Sequence, residues 1–166
     1  SYIGLCAFHE CPRLNAVTIP GSVKSIGVQS FRNCTGLVSL TLSEGVTNIN
    51  GEAFTGCSAL CTVTIPNSVT FIGVNAFQDC TSLRTVKLSE NLTTINQGTF
   101  RGCTGLTEIT FPDNLKTIEA YAFYGCSALA AVTIPDGVEA IGNYTFSRCS
   151  ALTAVSVSDT VSRIGV

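Results

Sequence analysis

The sequence is poor in the residues that carry most catalytic and nucleic-acid-binding chemistry. It has one histidine, no tryptophan and no methionine, and only 12% of its 166 residues are charged. The net charge of −2 gives no electrostatic reason to expect nucleic acid or an anionic membrane surface as a partner. With a single histidine, a nucleophile and base pair would need scattered lysines and carboxylates, and the sequence does not group them. We therefore expect a non-enzymatic protein that needs no cofactor.

Long hydrophobic runs are also missing. No apolar run approaches the roughly 18 residues of a membrane-spanning helix, so we expect a soluble chain without direct membrane insertion. The opening SYIGLCAFHE lacks the basic start and apolar stretch of a signal peptide. The sequence begins without methionine and within a repeat, so we expect it to be a fragment of a longer array, whose targeting signals can lie elsewhere.

Internal repetition is what the sequence has in abundance. Three consecutive segments read FRNCTGLVSLTLSEGVTNIN, FTGCSALCTVTIPNSVTFIG and FQDCTSLRTVKLSENLTTIN, each beginning 23 residues after the previous one. The same register places Phe at 8, 31, 54, 77, 100, 123 and 146, Cys three residues after each Phe, and Leu three residues after each Cys. No insertion interrupts the register. Residues 1–166 therefore predict a single repeat solenoid of about seven units.

Each unit combines two short extended segments with a turn between them. Leu40 and Leu42 alternate with Thr41, which predicts a strand with one buried face. A turn family follows the strand: PGSV, SEGV, PNSV, SENL, PDNL, PDGV and SDTV. A Val-x-x-Ile pattern then predicts a second extended segment. The spacing of three between Phe, Cys and Leu predicts one or two helical or 3₁₀ turns.

The complete spacing resembles a known repeat. From Leu60 to Leu83 the chain reads LCTVTIPNSVTFIGVNAFQDCTSL, which is similar to the 23-residue leucine-rich repeat of the BspA type. Unlike the common leucine-rich repeat, it has Pro or Ser after the strand, so no buried asparagine ladder is expected. The resemblance implies a right-handed coil with short parallel strands on one face and short extended or 3₁₀ segments elsewhere. It also implies a surface-associated protein, extracellular or at the cell surface, that acts in adhesion and protein binding rather than catalysis.

The seven cysteines in the register can be reactive groups or packing groups. Stacked coils lie about 4.8 Å apart, so we expect these thiols to form an interior column and to pack as small hydrophobes. Neighbouring thiols are close enough for disulfides, yet parallel side chains point the same way and an odd number cannot pair fully. Cys61 falls outside the column, and we expect it to be exposed. A metal site at Cys6, His9 and Cys11 would lack a fourth ligand and would remove Cys11 from the core.

The outward positions of the first strand are the best candidate for a working surface. They are small and almost neutral, so they are cheap to desolvate and lose little side-chain entropy on binding. We call the following eleven residues the contact face: Thr18, Ser39, Thr41, Thr62, Thr64, Thr85, Lys87, Glu108, Thr110, Thr133 and Ser156. A merely solubilising β surface would have a similar composition. A threonine array could also match ice, but Lys87 and Glu108 interrupt it.

Two other positions of the repeat hold residues that could act in catalysis or metal binding. His9 shares its column with Arg, Thr, Gln, Tyr and Ser, which predicts an outward surface residue rather than a catalytic base. Acidic residues recur at one turn position, where they could hold a calcium ion or could simply suit the turn: Glu44, Glu90, Asp113, Asp136 and Asp159. Gly21 and Asn67 interrupt that column, which favours the turn explanation.

Two functional classes remain open on the sequence. One is a non-catalytic module for protein–protein interaction, of the surface-binding or adhesion type. The other is a structural accessory or linker subunit of a larger complex. Because a solenoid needs polar caps at its ends and this sequence shows none, we expect further repeats or a neighbouring subunit to cover the open ends.

Overall fold

A computed structural model describes all 166 residues as a stack of short parallel strands. It contains no helix long and apolar enough to cross a membrane. The strands are β1 Tyr2–Ile3, β2 Ala16–Ile19, β3 Ser25–Ile26, β4 Ser39–Leu42, β5 Asn48–Ile49, β6 Thr62–Thr64, β7 Phe71–Ile72, β8 Thr85–Lys87, β9 Thr94–Ile95, β10 Thr117–Ile118, β11 Ala131–Thr133, β12 Ala140–Ile141, β13 Ala154–Ser156 and β14 Arg163–Ile164. The predicted repeat solenoid is confirmed, and both extended segments form strands in every full unit except the one around Thr110.

The strands form two sets, one for each extended segment of the repeat. The longer strands pair as β2 with β4, β6 with β8, and β11 with β13. The two-residue strands form one sheet in the order β1-β3-β5-β7 and another in the order β9-β10-β12-β14. Every pairing is parallel and joins residues 23 apart, as in Val63↔Val86 and Ile26↔Ile49. The sequence period is therefore also the pairing register.

The segment around each phenylalanine differs in detail from the helical or 3₁₀ turns expected there. Cys34 N donates to Phe31 O at 3.2 Å, an i to i+3 bond, but Phe31 N donates instead to Ala53 O in the next coil at 2.8 Å. Left-handed residues such as Gln29 and Asn33, with φ of 55° and 58°, separate the turns. Because a helix needs right-handed φ at every residue, these turns stay isolated. The alternate N–H groups instead bond one coil to the next.

The interior is one continuous apolar core of 41 buried residues. Its largest members are the phenylalanines, whose rings stack from Phe8 to Phe146 with centroids 5.0 to 5.7 Å apart and planes within 18° of parallel. Phe100 is fully buried, whereas Phe8 in the first coil is 42% exposed. Each ring between the two ends of the stack is therefore covered by the coils on either side of its own.

Both terminal coils leave apolar side chains of the repeat in solvent. Tyr2 and Leu5 are exposed in the first coil, and Val155 and Ile164 in the last. The register positions of Val155 and Ile164 are buried in the middle coils, as at Val63 and Ile72, whereas those of Tyr2 and Leu5 are exposed or half-buried there too. Coverage of these coils by further repeats or by a neighbouring subunit stays a prediction.

Candidate protein-contact face

The strands place the whole contact face in solvent. In β6 and β8 the outer residues are exposed and the central valines, Val63 and Val86, are buried. Strand geometry alternates side chains between the two faces of a sheet, so the outer residues all lie on one surface. All eleven contact-face residues are exposed: Thr18, Ser39, Thr41, Thr62, Thr64, Thr85, Lys87, Glu108, Thr110, Thr133 and Ser156.

The polar side chains of the contact face have no partners within the chain. None of the eleven takes part in a side-chain hydrogen bond, and the single salt bridge of the structure, between Arg32 and Glu52, lies elsewhere. Some exposed threonines outside the face do form such bonds. Thr107 Oγ1 donates to Arg84 O at 3.3 Å and Thr153 Oγ1 to Ala130 O at 3.3 Å, each reaching the preceding coil. The hydroxyl groups of the contact face are therefore free to bond to another molecule.

The contact face is not one uninterrupted sheet. Around Thr110 the strand is lost, and only a bridge between Lys87 and Thr110 remains. The next residue is Phe111, at a position that other coils fill with Ile, Leu or Val, and its ring packs edge-on against Phe123 at 5.6 Å. A groove of about 280 Å³ opens beside it, lined in part by Lys87, Glu90 and Thr110. The larger aromatic side chain thus coincides with a depression in an otherwise flat surface.

The cysteines of the register are packing groups that also donate hydrogen bonds. All nine thiols are free; Cys34 and the five later members of the column are buried, and Cys11 at its start is half-buried. Each of the six buried thiols donates to the carbonyl oxygen of a phenylalanine in the preceding coil, as Cys103 Sγ does to Phe77 O at 3.2 Å. Burial raises the pKa of the Cys57 thiol to about 12 and that of Cys103 well above its ordinary value of 9.0. The thiolate is the nucleophile, and the raised pKa keeps these thiols protonated. The buried cysteines are therefore unreactive.

Two side chains at the position of the acidic turn column accept hydrogen bonds from the backbone of the next coil. Glu44 Oε1 and Oε2 accept from the backbone N–H groups of Asn67 and Ser68, both at 3.0 Å, and Asn67 Oδ1 accepts from Glu90 N at 3.0 Å. The Asn67 N–H, aided by Ser68, holds the pKa of the Glu44 carboxyl below its ordinary value of 4.5. Asn67 accepts the equivalent backbone hydrogen bond although its side chain carries no charge. This equivalence supports the explanation that these residues suit the turn.

The region around His9 corrects one expectation. His9 is half-buried rather than fully outward, and its column equivalent Thr55 is buried, with its hydroxyl donating to Asn75 O at 2.6 Å. The position is partly covered because the adjacent coil packs against this turn. Cys6 Sγ contacts Gln29 at 3.4 Å and Cys11 Sγ contacts the His9 carbonyl at 3.9 Å. Nowhere in the chain do three His, Cys, Asp or Glu side chains gather to hold a metal ion.

The sequence profile of the BspA type leucine rich repeat region matches in six copies, over residues 1–103 and 75–166. The chain belongs to the BspA-type leucine-rich repeat family. Membership agrees with the 23-residue register and with the stacked parallel strands. A comparison with curated protein sequences finds no match.

Solved structures of other leucine-rich repeat proteins share the fold of this BspA-type chain. A leucine-rich repeat protein from Eubacterium ventriosum is 31% identical with a TM-score of 0.84, over 90% of this chain and 41% of that one. The T. pallidum leucine rich repeat protein is 26% identical with a TM-score of 0.68, over 93% and 76% of the two chains. A leucine rich cell surface protein from Faecalibacterium prausnitzii is 24% identical with a TM-score of 0.59, over 95% and 64%. This chain therefore spans about two fifths to two thirds of the E. ventriosum and F. prausnitzii proteins.

The stacked repeats of this BspA-type array present an extended surface of the kind that solenoid proteins use for binding. Sequence analysis did not predict two features of the array. One is the bond from each buried thiol to a phenylalanine carbonyl. The other is a surface cluster of Tyr and Arg, whose sequence signal is that Tyr121 and Tyr144 share one column and Arg101 and Tyr124 share another.

Proposed function

We propose that this BspA-type array binds a partner protein through its contact face. The observation that carries the proposal is the set of eleven exposed polar side chains without any intramolecular hydrogen bond or ion pair. A surface whose donors and acceptors are unpaired can form hydrogen bonds with a partner without breaking existing ones. The threonine positions next to the groove at Thr110 and Phe111 form the centre of the proposed interface.

The side chains of the contact face suit an interface energetically. Nine of the eleven are Thr or Ser, which lose little rotamer freedom when a partner covers them. Lys87 and Glu108 are the only charges, they have opposite sign, and both are exposed. The desolvation cost on binding is therefore small, and specificity depends on hydrogen bonds and on the shape of the groove.

We further propose that the chain belongs to a protein of the cell surface, where it acts in binding or adhesion. Resemblance to BspA-type repeats supports this location, because proteins of that type are mostly surface-associated. The alternative class, an accessory subunit of a permanent complex, uses the same surface. The two differ in solution behaviour, since a subunit copurifies with a partner in fixed stoichiometry and an adhesion module does not.

The test compares two double variants of matched chemistry. Thr64→Arg with Thr110→Arg places two large cations on the contact face, and Thr70→Arg with Thr93→Arg places them at exposed threonines outside it. Each protein is immobilised, and partners captured from the source cells are quantified by mass spectrometry. We expect the contact-face variant to lose partners that the control variant and the wild type retain, with melting temperatures unchanged in both because all four side chains are exposed.

Equal capture by the contact-face variant and the wild type would refute the proposed surface and direct attention to the acidic turn edge. Loss of capture by both double variants would show a general effect of added charge instead.

A further inference from the structure

A compact cluster of aromatic and cationic side chains lies at the turns beside the phenylalanine column, away from the contact face. Tyr121 and Tyr144 stack with ring centroids 5.2 Å apart, and Tyr124 meets Tyr121 edge-on at 5.7 Å. The guanidinium carbons of Arg101 and Arg148 lie 5.3 and 5.4 Å from the centroid of the Tyr124 ring. We call these five residues the Tyr/Arg cluster. They come from three successive coils, so only the folded stack assembles them.

The cluster is open to solvent and its positive charges are not neutralised. Arg101, Arg148 and Tyr144 are exposed, and the other two tyrosines are half-buried. Neither arginine forms a salt bridge. Of the carboxylates in the neighbouring coils, Glu119 accepts a hydrogen bond from the Gln97 backbone at 2.9 Å, and Asp79 accepts one from the Gln78 side chain at 3.0 Å. Two guanidinium groups without a salt bridge therefore lie at one tyrosine ring on a chain whose net charge is −2.

The backbone beneath the cluster adopts conformations that its side chains disfavour. Tyr121, Tyr144 and Arg148 have φ of 59°, 56° and 61°, in the left-handed region. Left-handed backbone is easy for Gly and tolerable for Asn, but it is unfavourable for large side chains. Every coil is left-handed at the position of Tyr121, which is Gly98 and Asn75 in the two preceding coils and Glu52 and Gln29 in the two before those. The repeat therefore imposes left-handed backbone on this column, and Gly or Asn satisfies it with less strain than Tyr121 does.

From these observations we propose that the Tyr/Arg cluster is a second binding site, and that it takes an extended acidic segment of a partner protein. Tyr and Arg are the residues most enriched among those that dominate binding energy at protein interfaces. Unpaired guanidinium groups bind carboxylates through two parallel hydrogen bonds, and the flat rings supply apolar area at low entropic cost. An extended segment with acidic residues at alternate positions presents all its carboxylates on one face, opposite Arg101 and Arg148.

This inference rests on the proposed role in protein binding but uses different residues from the contact face. The experiment on one site can therefore refute that site without refuting the other. Variants of Thr64 and Thr110 test the contact face, and variants of Tyr121 and Arg148 test the cluster.

The experiment uses a dye-labelled peptide of alternating glutamate and serine as the probe, and fluorescence anisotropy as the readout. Tyr121→Gly removes one ring and relieves the left-handed strain, whereas Asn75→Gly makes the same backbone change in the same column outside the cluster. We expect Tyr121→Gly to weaken binding at least about tenfold without lowering the melting temperature. Asn75→Gly and the double variant of Thr64 and Thr110 should bind like the wild type.

Further variants and probes define the results that would overturn the proposal. Arg148→Gln should weaken binding, and the peptide with lysine in place of glutamate should not bind. Tyrosine fluorescence gives an independent readout, because the chain lacks tryptophan and three of its four tyrosines belong to the cluster. Unchanged affinity in both Tyr121→Gly and Arg148→Gln would refute the site. Tighter binding of an acidic oligosaccharide than of the glutamate peptide would refute the protein partner.

Discussion

Phe100 lies in the middle of the stacked phenylalanine column, and its replacement by alanine measures how much the column stabilises the fold. Its side chain is fully buried and stacks on Phe77 at 5.7 Å and Phe123 at 5.5 Å. Phe to Ala substitutions in cores cost about 3–5 kcal/mol. Each stacked pair adds about 0.5–1.5 kcal/mol beyond area burial, so Phe100→Ala belongs near the upper end of that range.

Phe8 provides a matched control, because it has the same register position in the first coil. It is 42% exposed and stacks on one ring only, Phe31 at 5.0 Å. Phe8→Ala leaves a smaller cavity and loses one stacked pair, so we expect a cost of about 2 kcal/mol or less. The measurement is urea unfolding followed by far-ultraviolet circular dichroism, with the free energy taken from the midpoint and slope.

Two results of this measurement would contradict the expected contribution of the stacked rings to stability. Equal losses of stability in Phe100→Ala and Phe8→Ala would show that coverage by neighbouring coils does not determine the contribution of a ring. A loss below about 1 kcal/mol in Phe100→Ala would show that the stack closes over the cavity, against the behaviour of other protein cores.

Two further predictions concern the cysteine column and the turn column. In the native protein Cys61 should react with a thiol reagent as fast as a free peptide, whereas Cys103 should react only on unfolding; fast native reaction of Cys103, located by peptide mapping, would contradict its burial. The lowered pKa of Glu44 means that its contribution to stability is present above about pH 4.5 and lost as the pH falls below it. Glu44→Gln should therefore flatten the fall in stability between neutral and acid pH, while Glu108→Gln, at an exposed carboxylate without a hydrogen-bond partner, should leave it unchanged.

Much of the fold follows from the 23-residue period. An unbroken register places Phe31, Phe54 and Phe77 at equivalent points of successive coils, so each must lie beside the next once the coils stack. The alternation of Leu40, Thr41 and Leu42 predicts which side chains are buried and which face solvent. For the same reason the exposure of all eleven contact-face residues could be predicted, although their role in binding remains a proposal.

The tertiary structure decided how the columns interact with one another. The period predicts that Cys103 is buried, but its bond to the Phe77 carbonyl depends on the rotation of the thiol and on the neighbouring coil. The contact face is interrupted at Thr110, next to Phe111, whose ring packs edge-on against Phe123 in a contact between different columns. Such contacts depend on side-chain rotamers and backbone angles, which a repeat pattern does not contain.

The Tyr/Arg cluster likewise depends partly on the sequence period and partly on the folded structure. The sequence by itself determined that Arg101 and Tyr124 share one column and that Tyr121 and Tyr144 share another, because each pair is 23 residues apart. Only the folded chain decided that Arg148, from a third column, reaches the Tyr124 ring. Its long side chain starts from a left-handed residue, and the direction in which such a side chain leaves the backbone is set by φ and by the packing of three coils together.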